Sequence, residues 1–239
     1  MEESSKAPRK QAERIQTSFL NAAEKKALIW IANHLPGWVT SDMMTFLGTF
    51  GSVVIAVGYA LSNRNLAWLW LASLGLVLNW LGDSLDGTIA RVRNQQRPKY
   101  GFFLDHNIDC VNEALMFIGI GLSPLINLET ALLALCAYLI LSVYVYISAH
   151  LKGEFKLTYA KMGPTELRLI IILLNTIYII FPSLAAIETK TTFMGHDVIL
   201  HLLDYIGFAI ILGLFGAYFV SFYQDARKYA EEEPLPRKK

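Results

Sequence analysis

Apolar residues in this chain fall into runs long enough to cross a bilayer, set off by short polar connections. After a polar start, MEESSKAPRKQAERIQ, residues Ile15, Phe19, Leu20, Ala23, Leu28, Ile29, Trp30 and Ile31 alternate with Arg14, Glu24, Lys25 and Lys26. This near-helical spacing predicts an amphipathic helix over residues 11–36, lying on a membrane surface. A cap packed on the rest of the protein is the alternative. Six apolar segments follow, over residues 41–61, 66–90, 101–122, 128–151, 165–186 and 198–223. Each approaches the ~20 residues a helix needs to span hydrocarbon. Ser41 or Asp42 would cap the first of them. The pattern therefore predicts an all-α integral membrane protein, with six transmembrane helices behind an N-terminal interfacial helix. Residues 1–10 read as a disordered tail, 37–226 as the transmembrane domain and 227–239 as a polar tail.

Composition agrees. Of 239 residues 54% are hydrophobic and 17% charged, against about 25% charged in soluble domains. Cys110 and Cys136 both lie in apolar runs, which excludes a disulfide framework and a cysteine zinc site. The five histidines show no ligand spacing. No apolar core precedes a cleavage site, so no signal peptide is expected. Nothing in the charge pattern points to nucleic acid.

Charge placement gives an orientation. Six Lys and Arg precede the first segment, four lie between Arg91 and Lys99, four between Lys152 and Arg168, and five at the C-terminus. With six crossings these all share one side, leaving Arg64 and Lys190 on the other. The positive-inside rule puts both termini in the cytoplasm.

One stretch on that side holds the candidate chemistry: DSLDGTIARVRNQQRPKYGFFLDHNID, Asp83 to Asp109. Asp83 and Asp86 are spaced i, i+3, and Asp105 and Asp109 i, i+4, so each pair shares a helix face. Carboxylates beside membrane sequence are costly unless neutralised. Oxygen ligands suit Mg²⁺, Mn²⁺ or Ca²⁺. Four negative charges balance two divalent cations, which favours a two-metal site of the kind used for displacement at phosphorus. A carboxylate less committed to metal could take a proton from an attacking hydroxyl. Gly87 and Ala90 leave room for a ligand near backbone, Gly101 opens the next helix, and Arg91 suits bidentate contact with phosphate. The bland alternative has the aspartates capping helix ends and pairing with Arg91, Arg93, Arg97 and Lys99.

The ordered set Asp83-x2-Asp86-Gly87-x2-Ala90-Arg91-x9-Gly101-x3-Asp105-x3-Asp109 resembles the signature of the CDP-alcohol phosphotransferase family. The resemblance implies an enzyme that moves a phosphoryl-alcohol unit from a CDP-alcohol to an acceptor alcohol and releases CMP. It implies Mg²⁺ or Mn²⁺, two ions, held by Asp83, Asp86 and Asp105, with Asp109 as general base also able to touch metal. Gly87, Ala90, Arg91 and Gly101 would form the nucleotide and diphosphate site. The partners implied are a CDP-linked donor, an alcohol or lipid acceptor, membrane lipid and a second copy of the chain. Asp42 stands where the family more often has asparagine, ahead of Thr45, and both are candidates for the nucleotide site. Phe103-Leu104-Asp105-His106 and Gly163-Pro164-Thr165-Glu166 resemble the choline/ethanolamine branch. His106, Glu166 and Arg168 are candidate substrate contacts. Two other readings of the aspartates are an intramembrane prenyltransferase acting on a diphosphate and a divalent-cation transporter.

Overall fold

The computed structural model describes residues 13–15, 21–152, 154–156, 164–193 and 195–235. Among these, seven α-helices account for most of the chain: α1 (Asn21–His34), α2 (Ser41–Leu61), α3 (Leu69–Val92), α4 (Pro98–Gly121), α5 (Leu128–Lys152), α6 (Pro164–Ile180) and α7 (Leu202–Glu232). Two small sheets accompany them. Strand β1 (Glu13–Ile15) pairs in parallel with β2 (Glu154–Lys156), and β3 (Glu188–Phe193) pairs antiparallel with β4 (His196–His201).

Among the described residues four stretches are long and apolar enough to cross a membrane: Ser41–Leu61, Leu66–Val92, Leu128–Leu151 and Leu202–Glu232. The other two expected spans do not meet that measure. α4 carries Asp105, Asp109 and Glu113, and α6 is 17 residues long because Pro182 follows it and turns the chain into a short 3₁₀ stretch. The sixth segment also begins differently. Residues 198–201 belong to strand β4, since the hairpin with β3 takes their backbone groups before the helix starts. At its other end α7 runs through Tyr223 to Glu232, where Arg227–Glu231 and Lys228–Glu232 form i, i+4 pairs at 2.9 and 3.7 Å.

At the N-terminus the helix occupies Asn21–His34, while residues 13–15 are extended. The expected tail, residues 1–10, lies outside the described residues. Leu28 and Ala32 on α1 pack with Val39 and with Leu85 and Ile89 of α3. One face of α1 thus covers α3, as the packed-cap alternative requires, while Trp30 is 63% exposed on another.

The centre is a close crossing of α2 and α3. A Cβ on Gly82 would collide with the Gly48 backbone, one on Gly51 with the Asn79 backbone, and one on Gly58 with Ala72. Gly119 of α4 stands in the same relation to Ala56. Small residues let backbones approach where lipid provides no hydrophobic drive between helices. Buried polar groups stitch the crossing to α6. Asn79 donates to Gly48 O and Ser52 Oγ, both at 3.1 Å, and Asn175 of α6 donates to Ser73 Oγ at 3.1 Å while accepting from Tyr59 OH at 3.0 Å. The Asn79 and Asn175 amides thereby have partners, as low-dielectric surroundings demand. Gly51→Val is expected to lower the thermal midpoint in detergent by several degrees, since backbone cannot yield as a flexible side chain does and overpacking costs about 1–3 kcal/mol or more. Gly213→Ala, with nothing within 4 Å of the new Cβ, should leave it level or raise it slightly.

The far end is closed by Asp204, which is fully buried at the start of α7. It accepts from Asn127 N at 3.1 Å, Asn127 Nδ2 at 2.9 Å and His201 N at 2.7 Å. This ties the start of α5 to the start of α7. α5 packs against α7, and α2 packs on both α3 and α4.

Candidate active site

α3 and α4 meet chiefly through α2, and Asp83 faces Asp105 and Asp109 across the gap so left. One carboxylate oxygen from each of Asp83, Asp105 and Asp109 lies within 4.8 Å of the others, and all three residues are partly buried. None of the four aspartates sits in a terminal turn. Asp83 and Asp86 precede the end of α3 at Val92, and Asp105 and Asp109 lie well inside α4, which starts at Pro98. Helix capping therefore does not explain them, because unsatisfied backbone groups are confined to the first and last turns.

Two of the cations expected to neutralise the aspartates in that alternative, Arg93 and Arg97, have other partners. Arg93 donates to the carbonyls of Leu35 (3.0 Å), Pro36 (3.1 Å) and Val39, so it holds the α1–α2 connection against the end of α3. Arg97 pairs with Asp42 at 2.5 Å and lies over the Tyr100 ring at 4.0 Å, and Tyr100 OH donates to the same carboxylate at 3.2 Å. Asn94, with φ 55°, makes the turn between the two helices, a conformation asparagine tolerates. A cation from α6 reaches the cluster. Arg168 Nη2 lies 3.0 Å from Asp83 Oδ2, and its Nε donates to Asn79 Oδ1 at 3.1 Å.

Asp86 is set apart from the other three. Thr45 Oγ1 donates to its Oδ2 at 2.9 Å, and the Gly87 amide donates to its Oδ1. Ser41 Oγ donates to the Asp86 carbonyl at 2.8 Å. The cap of α2 is Thr40, which accepts from Met43 N at 3.2 Å, rather than Ser41 or Asp42, whose side chains are taken by Asp86 and Arg97. Thr45 is buried, as a link between α2 and α3 should be. Arg91 donates to Thr88 Oγ1 at 3.0 Å, and a Cβ on Gly87 would stand 3.3 Å from Arg91 Nη1, so Gly87 lies beneath that guanidinium. Ala90 is partly buried one turn on from Asp86. Gly101 is exposed, with nothing within 4 Å of a Cβ added there.

His106 flanks the cluster. Its Nδ1 is 3.6 Å from Asp105 Oδ2, and its ring lies between Phe102 at 4.0 Å and Tyr146 at 4.9 Å. Glu166 is partly buried at the start of α6 and stands outside the carboxylate cluster. Asn79 and Glu24 also contribute to the site's surroundings, although no motif marks them. Asn79 was visible as a polar residue in an apolar run, one turn before Asp83. Glu24 looked like one more charge on a polar face.

Residues 38–210 match the family described as CDP-alcohol phosphatidyltransferase. The chain is 36% identical over 84 residues to a phosphatidylinositol phosphate synthase of Cutibacterium acnes, covering 35% of this chain and 38% of that protein. It is 30% identical over 140 residues to an archaetidylinositol phosphate synthase of Pyrococcus horikoshii, covering 59% of this chain and 70% of that protein. A protein of the same description from Methanothermobacter thermautotrophicus is 32% identical over 145 residues, covering 59% and 69%.

The chain belongs to the CDP-alcohol phosphatidyltransferase family, a family of membrane phosphotransferases. The four apolar helices and the family together make it a membrane protein. The three relatives carry names of inositol phosphate synthases, not of choline or ethanolamine phosphotransferases. The family generally uses divalent metal ions, and the cluster of Asp83, Asp105 and Asp109 is compatible with one.

Proposed function

We propose that this protein is a phosphotransferase of phospholipid synthesis that moves a phosphoryl-alcohol unit from a CDP-alcohol to an acceptor hydroxyl and releases CMP. The carboxylate cluster of Asp83, Asp105 and Asp109 carries the reading. Its all-oxygen donor set and close spacing fit a hard divalent cation. Asp86, oriented by Thr45 and the Gly87 amide, would complete the set and contribute to a second ion. When bound, Mg²⁺ or Mn²⁺ would offset the charge of the diphosphate and of the departing CMP.

The chain's own groups do the rest. The acceptor hydroxyl attacks the β-phosphorus, its proton passes to Asp109, the new P–O bond forms, and the bond from that phosphorus to the bridging oxygen breaks as CMP leaves. Arg91 and the space over Gly87 receive the diphosphate, Ala90 and Gly101 leave room for the nucleotide, and Asp42 and Thr45 border it. His106, Glu166 and Arg168 face the acceptor side. The names of the relatives favour a CDP-linked lipid as donor and a phosphorylated polyol as acceptor. The prenyltransferase and transporter readings lose ground to the family match over residues 38–210.

We also propose six crossings, with α4 and α6 as the two shorter ones, and both termini and the aspartates on the cytoplasmic side. A polar-lined helix packed among neighbours need not be apolar throughout, which supports α4 as a span. α1 lies at the interface, with Trp30 and Trp38 (70% exposed) as anchors. A homodimer rests on family resemblance alone.

Purified protein with Mn²⁺, CDP-diacylglycerol or head-group CDP donors, and an acceptor panel including inositol phosphate should release CMP, and EDTA should abolish the release. If no donor and acceptor pairing released CMP, this function would be rejected.

A further inference from the structure

Glu24 sits on α1, away from the aspartates in sequence, yet it receives hydrogen bonds from two other helices. Trp80 Nε1 donates to its Oε1 at 2.7 Å, Thr165 Oγ1 donates to the same oxygen at 2.9 Å, and Ser84 Oγ stands 3.5 Å from it. Trp80 and Ser84 bracket Asp83 on α3, and Thr165 is one turn before Arg168 on α6. A carboxylate is an acceptor only, so one group can satisfy an indole N–H and hydroxyls together.

Besides the Asn175–Ser73 hydrogen bond further along, the N-terminal end of α6 is fastened to α3 by two links. Arg168 grips the face of α3 that carries Asn79 and Asp83. Through Glu24, Thr165 is bound to the face that carries Trp80 and Ser84. The two faces are offset by one residue, about 100° around a helix. With the middle of α6 held by Asn175, the two links on different faces of α3 set how its N-terminal turn, and with it Arg168, is seated.

We propose that Glu24 is a positioning residue of the active site: by holding Thr165 against Trp80 it keeps the Arg168 guanidinium seated on Asp83. The N-terminal helix is thereby part of the catalytic arrangement as well as a cover for α3. The inference rests on the proposed role of the aspartates in binding a cation.

The test compares Glu24→Ala, Thr165→Val, Thr165→Ser, Arg168→Ala and the Glu24→Ala/Arg168→Ala double variant. The readouts are the Mn²⁺ dissociation constant by electron paramagnetic resonance, kcat and KM for CMP release, and the thermal midpoint. Arg168→Ala removes a positive charge that competes with metal for Asp83, so Mn²⁺ should bind about 3- to 10-fold tighter. Glu24→Ala and Thr165→Val should shift Mn²⁺ affinity in the same direction. They should lower kcat by about 10-fold with the donor KM little changed, the pattern of a lost transition-state interaction. Thr165→Ser should restore both values. In the double variant the Glu24 change should add nothing to Mn²⁺ affinity. An unchanged Mn²⁺ constant in both Glu24→Ala and Thr165→Val, with only the melting point lowered, would reduce Glu24 to a packing contact and overturn the proposal. So would simple additivity in the double variant. If Glu24→Ala does not fold, Thr165→Val decides. A wild type that binds Mn²⁺ but releases no CMP rejects the proposed reaction and leaves the Mn²⁺ arm to judge Glu24; one that binds no Mn²⁺ overturns both.

Discussion

Asp109→Asn is expected to bind donor nucleotide as the wild type does and to turn over about 10²- to 10⁴-fold more slowly, the range that one positioned general base supplies. The substitution keeps the shape of the side chain and removes its ability to accept a proton. Asp109 is suited to the role because it lies in α4, a turn beyond Asp105, with its oxygen beside those of Asp83 and Asp105. A hydroxyl brought to phosphorus at this cluster would meet it directly. CMP release under single-turnover conditions, paired with equilibrium binding of the donor, separates the two effects. Full activity in Asp109→Asn would remove it as the base, and loss of donor binding would make it a ligand instead.

The second large effect belongs to Asp83. Asp83→Asn should weaken Mn²⁺ binding by at least about 10-fold and reduce CMP release by about 10³-fold or more, since one change removes a carboxylate from the cluster and the partner of Arg168. A guanidinium left beside a weakened acidic cluster would further repel the cation. Asp86→Asn serves as the contrast. That carboxylate is already engaged by Thr45 and the Gly87 amide, so the first Mn²⁺ should bind with a smaller loss while CMP release still falls. Equal Mn²⁺ losses for Asp83→Asn and Asp86→Asn would mean that the four aspartates act as one set, and that the separation seen around Asp86 has no bearing on metal.

Much of this was legible from periodicity. The positions of α2, α3 and α5 follow from apolar runs with polar breaks at Pro36-Gly37, at 62–65 and at Ser123-Pro124. The aspartate faces follow from spacings of three and four. Other features were not legible for identifiable reasons. Residues 198–201 look like the start of a membrane helix because Val198, Ile199 and Leu200 are apolar, yet they pair with β3, and β-branched residues serve strands as well as spans. α7 continues past its apolar part, where exposed i, i+4 charge pairs add about 0.2–0.5 kcal/mol each to a helix already nucleated. The pairing of Arg168, a candidate substrate contact in the sequence, was not legible because Asp83 and Asn79 lie on another helix far back in the chain.

Within the Asp83–Asp109 stretch, the sequence by itself determined that two pairs of carboxylates share two helix faces, that small residues stand beside them, and to which family the pattern belongs. Those properties depend on spacing along one helix, which the order of residues states directly. The tertiary structure decided how the four acids divide. It turned Asp86 toward Thr45, gathered Asp83 with Asp105 and Asp109, and supplied Arg168, Asn79 and Glu24 from other parts of the chain. Each of those choices depends on how closely α2, α3 and α6 approach, and that distance is set by glycines at the crossing and by buried amides whose partners no local pattern reveals.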